Sequence, residues 1–351
     1  MAIETSCDET AAAVVASGPR LLSNVIRSQD ELHAPFGGVV PEIAARAHLQ
    51  TLIPVIERAL ETAGTRWEQV DGVAVTRGPG LVGCLLVGVN VAQAIAWARK
   101  LPVVGVSHLA AHVFAAQLET PELRPPLLGL VVSGGHSDLI RWQEDGSISV
   151  IGRTRDDAAG EAFDKGARIL GLPFPGGPAI DRLASAGDPR AIAFPRPRAP
   201  GLDFSFSGVK TALLYEVRKR KALSEQERAD LAASYQEAIV DALLQRVEAA
   251  VFPAPVRGEG SVAALLPSPA SGGGSAWGSA PTVVLGGGVA RNRRLREAAQ
   301  QRLGSRVHLV IPAPELCTDN AAMIGAAGLI EWDRRGPDPV PFDADPSLGF
   351  A

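Results

Sequence analysis

At 351 residues, 46% of them apolar and 21% charged, the chain is too long for one ordinary core and too apolar to be disordered throughout, so two core-bearing units are expected. A formal net charge of −4 excludes a polycation that grips nucleic acid with its whole surface and confines any such contact to a local patch. The cysteines Cys7, Cys84 and Cys317 lie far apart without paired metal-site spacing, and no secretory segment begins at Met1, so they read as reduced thiols of a cytosolic protein.

Residues 1–15 open with a very short strand, the polar turn Glu4-Thr5-Ser6-Cys7-Asp8-Glu9-Thr10 and an apolar run. Acidic and hydroxyl groups in such a turn suit a phosphate or its cation, although Asp and Thr also favour turns for local reasons. The glycine-rich bend 36–42 leads into a helix carrying Arg46 and His48. A helix at 51–63, with apolar residues at helical spacing, and a strand at 72–76 follow. Residues 80–98 are nearly uncharged and long enough to span a bilayer. Asn90, Gln93 and three glycines inside them, behind the tight Arg77-Gly78-Pro79-Gly80 turn, favour a core helix and no membrane span.

After an apolar strand at 101–106 comes Ser107-His108-Leu109-Ala110-Ala111-His112, the start of an alanine-rich helix to about 119. Ser107 is a good N-cap. Four residues apart, His108 and His112 share a helix face and either converge on one ion or merely line the helix. Leu109 stands where a zinc peptidase of the HExxH kind needs its glutamate base, which counts against peptidase activity.

A strand at 127–132 runs into Ser133-Gly134-Gly135-His136-Ser137. This is either a loop whose amides approach a phosphate or acyl group, or a hairpin turn to a strand at 138–142. Asp156-Asp157 are expected to cap a helix running through Glu161 and Asp164 to 170. The rigid turn 173–178 starts a helix carrying Asp181, and an amphipathic helix ends in Arg218-Lys219-Arg220-Lys221, either dipole compensation or a phosphate contact. A helix at 224–251 precedes residues 252–281, whose Pro, Gly, Ser and Ala lack periodicity and read as a flexible insertion. A strand at 282–285 enters a glycine loop, 286–292, placed before a helix with Arg293, Arg294 and Arg296, a ready anion site. After a strand at 307–311, Cys317-Thr318-Asp319-Asn320 opens a helix of small residues to 330, with Asp319 either its cap or a third metal ligand.

Loops of this kind recur after strands in both halves, and no G-x-G-x-x-G follows the first strand. The expected fold is α/β, a duplicated actin-like or hexokinase-like (ribonuclease H-like) pair of lobes with a nucleotide cleft between them. The expected lobes are 1–125 and 126–351, the second with a helical insertion at about 156–250 and the flexible one at 252–281.

The motifs Glu4 to Thr10, Gly37-Gly-Val-Val-Pro-Glu42, Gly78-Pro-Gly-Leu-Val-Gly83, His108-x-x-x-His112, Val132-Ser-Gly-Gly-His136, Asp156 to Lys165, Pro175-Gly-Gly-Pro178, Phe204-Ser-Phe-Ser-Gly-Val-Lys210, Gly287-Gly-Val-Ala-Arg-Asn292 and Cys317-Thr-Asp-Asn320 occur in this order. Together they resemble the bacterial tRNA threonylcarbamoyladenosine synthesis family (TsaD type, once called O-sialoglycoprotein endopeptidase) over almost the whole chain. The resemblance implies transfer of a threonylcarbamoyl group from threonylcarbamoyl-adenylate to the exocyclic amine of the adenosine 3′ of the anticodon, in tRNAs reading codons that begin with A. It also implies one divalent ion per subunit, Fe²⁺ first and Zn²⁺ as the alternative, on His108, His112 and Asp319. Substrate contacts map to Val131, Val132, Ser133, Gly134, Gly135, Asp164, Gly177, Asp181 and Asn292, with an adenylate or ATP-type nucleotide in the cleft. Expected partners are tRNA, an adenylate-forming synthase, a related dimerising paralogue and a small ATPase, all in the cytoplasm. Asp8 and Glu9, in the first turn, are candidates for a base or cation anchor near the incoming amine.

Three features depart from the family pattern: few residues precede Glu4, Ser137 stands where threonine is common, and 252–281 is foreign to it. The rival functions are a small-molecule kinase of the same superfamily, which has no need of His108 and His112, a metallopeptidase, and a non-catalytic scaffold.

Overall fold

In the computed structural model, which describes residues 1–196, 199–253 and 280–350, the chain divides into two units, Met1–Leu123 with Pro312–Ala351, and Arg124–Ile311.

The first unit is built on a five-stranded sheet of β1 (Ala2–Glu4), β2 (Glu9–Ala16), β3 (Arg20–Ser28), β4 (Val73–Gly78) and β5 (Val103–Ser107), in the order β3-β2-β1-β4-β5. β1 pairs antiparallel with β2 and parallel with β4, so the shortest strand is the central one, and Ile3 is fully buried. β3, an antiparallel edge strand, was not expected from the sequence. Around the sheet lie α1 (Asp30–His33), α2 (Pro41–Ala63), α3 (Val82–Arg99) and α4 (His108–Phe114). α2 starts at the glycine bend, well before 51, and passes through Pro54. Its buried Ala44, Ala47, His48, Leu52, Val55, Ile56, Ala59 and Leu60 recur at helical spacing, and that burial outweighs the one lost backbone donor. α3 is long and apolar enough to cross a membrane, but Leu85, Val89, Ala92 and Ala96 turn inward to the core, and Gly88 sits so close to Thr5 that a Cβ there would stand 2.3 Å from its hydroxyl.

The second unit repeats the topology. β6 (Leu127–Val132), β7 (Ser137–Trp142), β8 (Ile148–Arg153), β9 (Thr282–Gly286) and β10 (His308–Val310) run in the order β10-β9-β6-β7-β8, again three antiparallel strands followed by two parallel ones. Its helices are α5 (Ala159–Ile169), α6 (Gly176–Ala184), α7 (Ser207–Arg218), α8 (Glu225–Val251) and α9 (Arg293–Leu303). Tyr235 at the centre of α8 is fully buried, and its hydroxyl donates to the Ala162 carbonyl at 2.7 Å, tying α8 to α5. The expected cap is corrected here. α5 begins at Ala159 without a side-chain oxygen on its cap residue, Ala158. Asp156 instead accepts the Phe206 and Ser207 amides at 2.7 and 3.2 Å and both serine hydroxyls, Ser205 and Ser207, at 2.6 Å, so it caps α7. Asp157 pairs with Lys165 and Lys210. Most of the expected insertion at 252–281, namely 254–279, lies outside the described residues.

The chain then returns to the first unit through α10 (Pro314–Cys317) and α11 (Ala321–Arg335). The expected second lobe, 126–351, is therefore shorter, beginning at Arg124 and ending at Ile311. Two glycines explain the return: a Cβ on Gly325 would stand 2.4 Å from Val15, and one on Gly328 would stand 2.5 Å from Ala74. Without those side chains α11 lies directly on β2 and β4. Beyond α11 the tail crosses the end of β5, where the Asp338 carboxylate accepts the Gly105 amide (2.8 Å) and the Ser107 hydroxyl donates to the Gly349 carbonyl (2.6 Å).

Candidate metal centre and glycine loops

β5 ends at Ser107, whose hydroxyl accepts the Ala110 amide at 3.3 Å and caps α4. His108 is thus the first helical residue, and His112 lies one turn on, with ring centroids 4.7 Å apart. Asp319 arrives from the loop before α11. Its neighbour Asn320 is the N-cap there, accepting the Met323 amide at 3.0 Å, so the Asp319 carboxylate is left to face the imidazoles. Asp319 Oδ1 stands 3.4 Å from both His108 Nε2 and His112 Nε2. The two readings left open by the sequence separate here, since Asn320 takes the cap and Asp319 joins the histidines.

These residues fit a divalent ion. Among the described residues both ring nitrogens of His112 are buried without a hydrogen-bond partner, which is costly for a group with nothing to bind. Nitrogen-to-oxygen separations of 3.4 Å are close to the edge of a tetrahedron whose metal bonds measure about 2.1 Å. Two imidazoles and one carboxylate suit Fe²⁺ or Zn²⁺ and leave positions open for substrate. Burial holds the His112 pKa below its usual value, keeping the ring neutral as a ligand must be. Burial also acts on His108, but Asp319 and Glu4 outweigh it and raise its pKa.

Glu4, at the end of β1, is wholly buried beside this trio. Its Oε2 lies 2.9 Å from His108 Nδ1 and accepts the Thr76 hydroxyl at 2.6 Å, and its Oε1 accepts the Ser6 amide. Sequence reasoning placed Glu4 only in a polar turn. The missed signal was positional, because β1, β4 and β5 are parallel neighbours whose carboxyl ends fall together.

Asp8 and Glu9 sit where β2 starts, with carboxylate oxygens that lie, together with those of Asp30, within 4.8 Å of one another. Burial, then Asp319 and Asp8, push the Glu9 carboxyl well above the ordinary range. His48, another residue whose role was not read from the sequence, holds this turn. Its Nε2 donates to the Cys7 carbonyl at 2.9 Å, and its Nδ1 accepts the Thr10 hydroxyl at 2.8 Å.

In the second unit Val132, Ser133, Asp164 and Asp181 of the expected substrate residues take part in a closed ring of contacts. The Ser133 carbonyl accepts the Gly160 amide of α5 at 3.1 Å. Asp164 of α5 accepts the Gly176 amide of α6 at 2.8 Å, and Asp181 of α6 accepts the Arg293 amide of α9 at 3.4 Å. The ring closes at Gly287, at φ +87°, where a Cβ would stand 2.4 Å from the Val132 carbonyl oxygen. Residues 133–136 turn as a hairpin, with Ser133 N–H donating to His136 O. The turn nonetheless leaves Gly134 and Gly135 with open space where a side chain would point, and Gly177 nearly so. Asn292 serves as the cap of α9, accepting the Leu295 amide at 2.9 Å and donating to Gln236 at 2.7 Å. The helix N-terminus expected as an anion site is therefore already met by Asn292 and Asp181. One oxygen, Asp181 Oδ1, is buried without a partner among the described residues.

A family model described as TsaD, tRNA N6-adenosine threonylcarbamoyltransferase, matches residues 20–326. A tRNA N6-adenosine threonylcarbamoyltransferase of Symbiobacterium thermophilum is 48% identical over 352 residues, covering 100% of this chain and 96% of its own. Among solved structures, component A of the (R)-2-hydroxyglutaryl-CoA dehydratase of Acidaminococcus fermentans aligns with a TM-score of 0.50 at 15% identity, over 93% of this chain and 95% of its own. Full-length HypF in its phosphate- and nucleotide-bound form aligns with a TM-score of 0.54 at 14% identity, over 83% of this chain and 51% of its own. At such identities these structures share the fold alone, the duplicated α/β architecture of actin-like proteins.

Proposed function

Because the chain belongs to the TsaD family of tRNA N6-adenosine threonylcarbamoyltransferases, we propose that it moves a threonylcarbamoyl group from threonylcarbamoyl-adenylate to N6 of the adenosine 3′ of the anticodon, in tRNAs reading codons that begin with A. The observation that carries this reading is the convergence of His108, His112 and Asp319 in a chain that matches the family model. His108, His112 and Asp319 would hold a divalent ion, iron(II) first and zinc(II) otherwise, which supplies Lewis acidity toward the donor carbonyl when bound.

The remaining chemistry falls to the chain's own groups. The donor is a mixed anhydride, so N6 attacks the carbamoyl carbon, the bond to the phosphate oxygen breaks, and AMP leaves. The proton lost by N6 goes to Glu9, one of the two carboxylates where β2 starts. Asp8 anchors the amine beside it. Backbone amides of Gly134 and Gly135, unshielded by side chains, donate to the oxygen on which charge develops. Asp181 Oδ1, buried and unpaired among the described residues, accepts a hydroxyl of the adenylate ribose, and Val131, Val132, Ser133, Asp164, Gly177 and Asn292 shape the surrounding site. Of the basic groups, Arg218 and Lys221 are exposed at the end of α7 and suit tRNA phosphates. The chain works in the cytoplasm, where its three thiols stay reduced, with an adenylate-forming synthase, a related paralogue and a small ATPase.

The test is to incubate the purified chain and those companions with donor and unmodified tRNA, then digest the tRNA and weigh its nucleosides. A threonylcarbamoyl-adenosine peak that His108→Ala abolishes is expected. A wild-type reaction yielding none would refute the proposal.

A further inference from the structure

We propose that Glu4 is a positioning residue that fixes the tautomer and direction of His108, and thereby sets how tightly the centre holds its ion. This rests on the reading of His108, His112 and Asp319 as a metal site. Strand register puts the groups together: Ile3 pairs with Val75 and Thr76 with Val106, so Glu4, Thr76 and His108 meet at the carboxyl ends of three parallel strands. The ladder also holds Glu4 from the other side, through its pairing with Ala11 of β2, so its backbone has little freedom.

The Glu4 carboxylate is fully buried, and it already receives two donors, the Ser6 amide and the Thr76 hydroxyl. An ionised carboxylate only accepts, so the 2.9 Å contact with His108 Nδ1 requires a proton on Nδ1. In the neutral ring that a ligand must be, Nε2 then carries the lone pair, and it faces Asp319 Oδ1 at 3.4 Å. Ligating histidines are commonly oriented in this way, and losing the orienting group typically weakens metal binding 10–100-fold. His112 has no such support among the described residues, where its Nδ1 is buried without a partner. The two ligands therefore differ, since His108 has a carboxylate on its far nitrogen and His112, among the described residues, does not.

A competing arrangement is a metal-free imidazolium of His108 bridging Glu4 and Asp319. It makes Glu4 a stability residue with no bearing on metal affinity, and the isosteric Glu4→Gln variant separates the two. A glutamine offers one acceptor oxygen where three donors now converge. Its amide nitrogen facing His108 would favour the tautomer with a proton on Nε2, which cannot ligate.

The experiment is chelator competition with Co²⁺ and Zn²⁺ on the full-length wild type, Glu4→Gln, Thr76→Val and His108→Ala, alongside a proton spectrum of the Zn²⁺-loaded wild type. Glu4→Gln is expected to weaken binding by about 10–100-fold, Thr76→Val by less, and His108→Ala to abolish it. The wild type should show a downfield His108 Nδ1–H proton that Glu4→Gln lacks. Glu4→Gln binding as tightly as wild type, with His108→Ala inert, overturns this inference alone. His108→Ala binding as tightly as wild type overturns the metal site itself. If Glu4→Gln fails to fold, the Zn²⁺ spectrum decides, because absence of the Nδ1–H proton in the wild type contradicts the proposal.

Discussion

Gly160, the second residue of α5, offers a direct probe of how tightly the glycine loop must be held. Its amide donates to the Ser133 carbonyl, and a Cβ added to it would stand 2.4 Å from that oxygen and 2.8 Å from the backbone of Gly134. These neighbours are main chain and cannot swing aside. A tolerable contact needs 3.0–3.4 Å, so Gly160→Ala must drive the loop and helix apart by about 0.6–1 Å. The gain in helix propensity, at most about 1 kcal/mol, offsets part of an overpacking cost of about 1–3 kcal/mol. The net loss of stability is at most about 2 kcal/mol, which leaves the variant folded for assay. Activity should not escape, because a displacement of about 1 Å in groups that position a reacting carbonyl costs up to about 100-fold. Gly208→Ala is the matched control, also at the second position of a helix but with nothing within 4 Å of its Cβ. Steady-state threonylcarbamoyl transfer should fall about 10–100-fold in Gly160→Ala and stay at the wild-type level in Gly208→Ala. Wild-type kcat/KM in Gly160→Ala would refute the reasoning.

Burial pushes the carboxyl of Asp138, on β7, up to about 6 despite Arg153 on the neighbouring strand. The folded state therefore disfavours the ionised form, and stability declines as pH rises from about 4 to 6. Asp138→Asn should gain about 1–3 kcal/mol at pH 8 and nothing below pH 4, read from urea unfolding of the whole protein; a pH-independent difference would exclude this cause. All three thiols should resist iodoacetamide at pH 8 until the protein is unfolded. Burial, Asp8 and Asp319 raise Cys7, burial brings Cys84 up to about 11, and Cys317 is enclosed. Rapid native labelling would contradict that environment.

Much of the fold was legible because its strands are apolar runs punctuated by glycine or hydroxyl residues. The edge strands β3 and β8 were not, because their half-exposed residues alternate poorly and part of their support comes from the neighbouring strand. Local pattern also misplaced Asp156, which caps a helix some fifty residues downstream, a contact that spacing cannot reveal. Asp319 stayed ambiguous for the opposite reason. Two adjacent residues, Asp319 and Asn320, are both good caps, and only the geometry shows which one turns to the helix. The return of α11 to the first unit depends on what Gly325 and Gly328 touch, and glycine carries no hydropathy signal that names its neighbour. Glu4 and His48 were hidden likewise, since their partners are distant in sequence.

The central claim is that His108, His112 and Asp319 together hold one ion. Metal analysis of the purified protein beside His112→Ala and Asp319→Ala, with folding checked by circular dichroism, tests it most directly. About one iron or zinc per wild-type chain, and almost none in either folded variant, is the expected result. Equal metal content in all three proteins would contradict it.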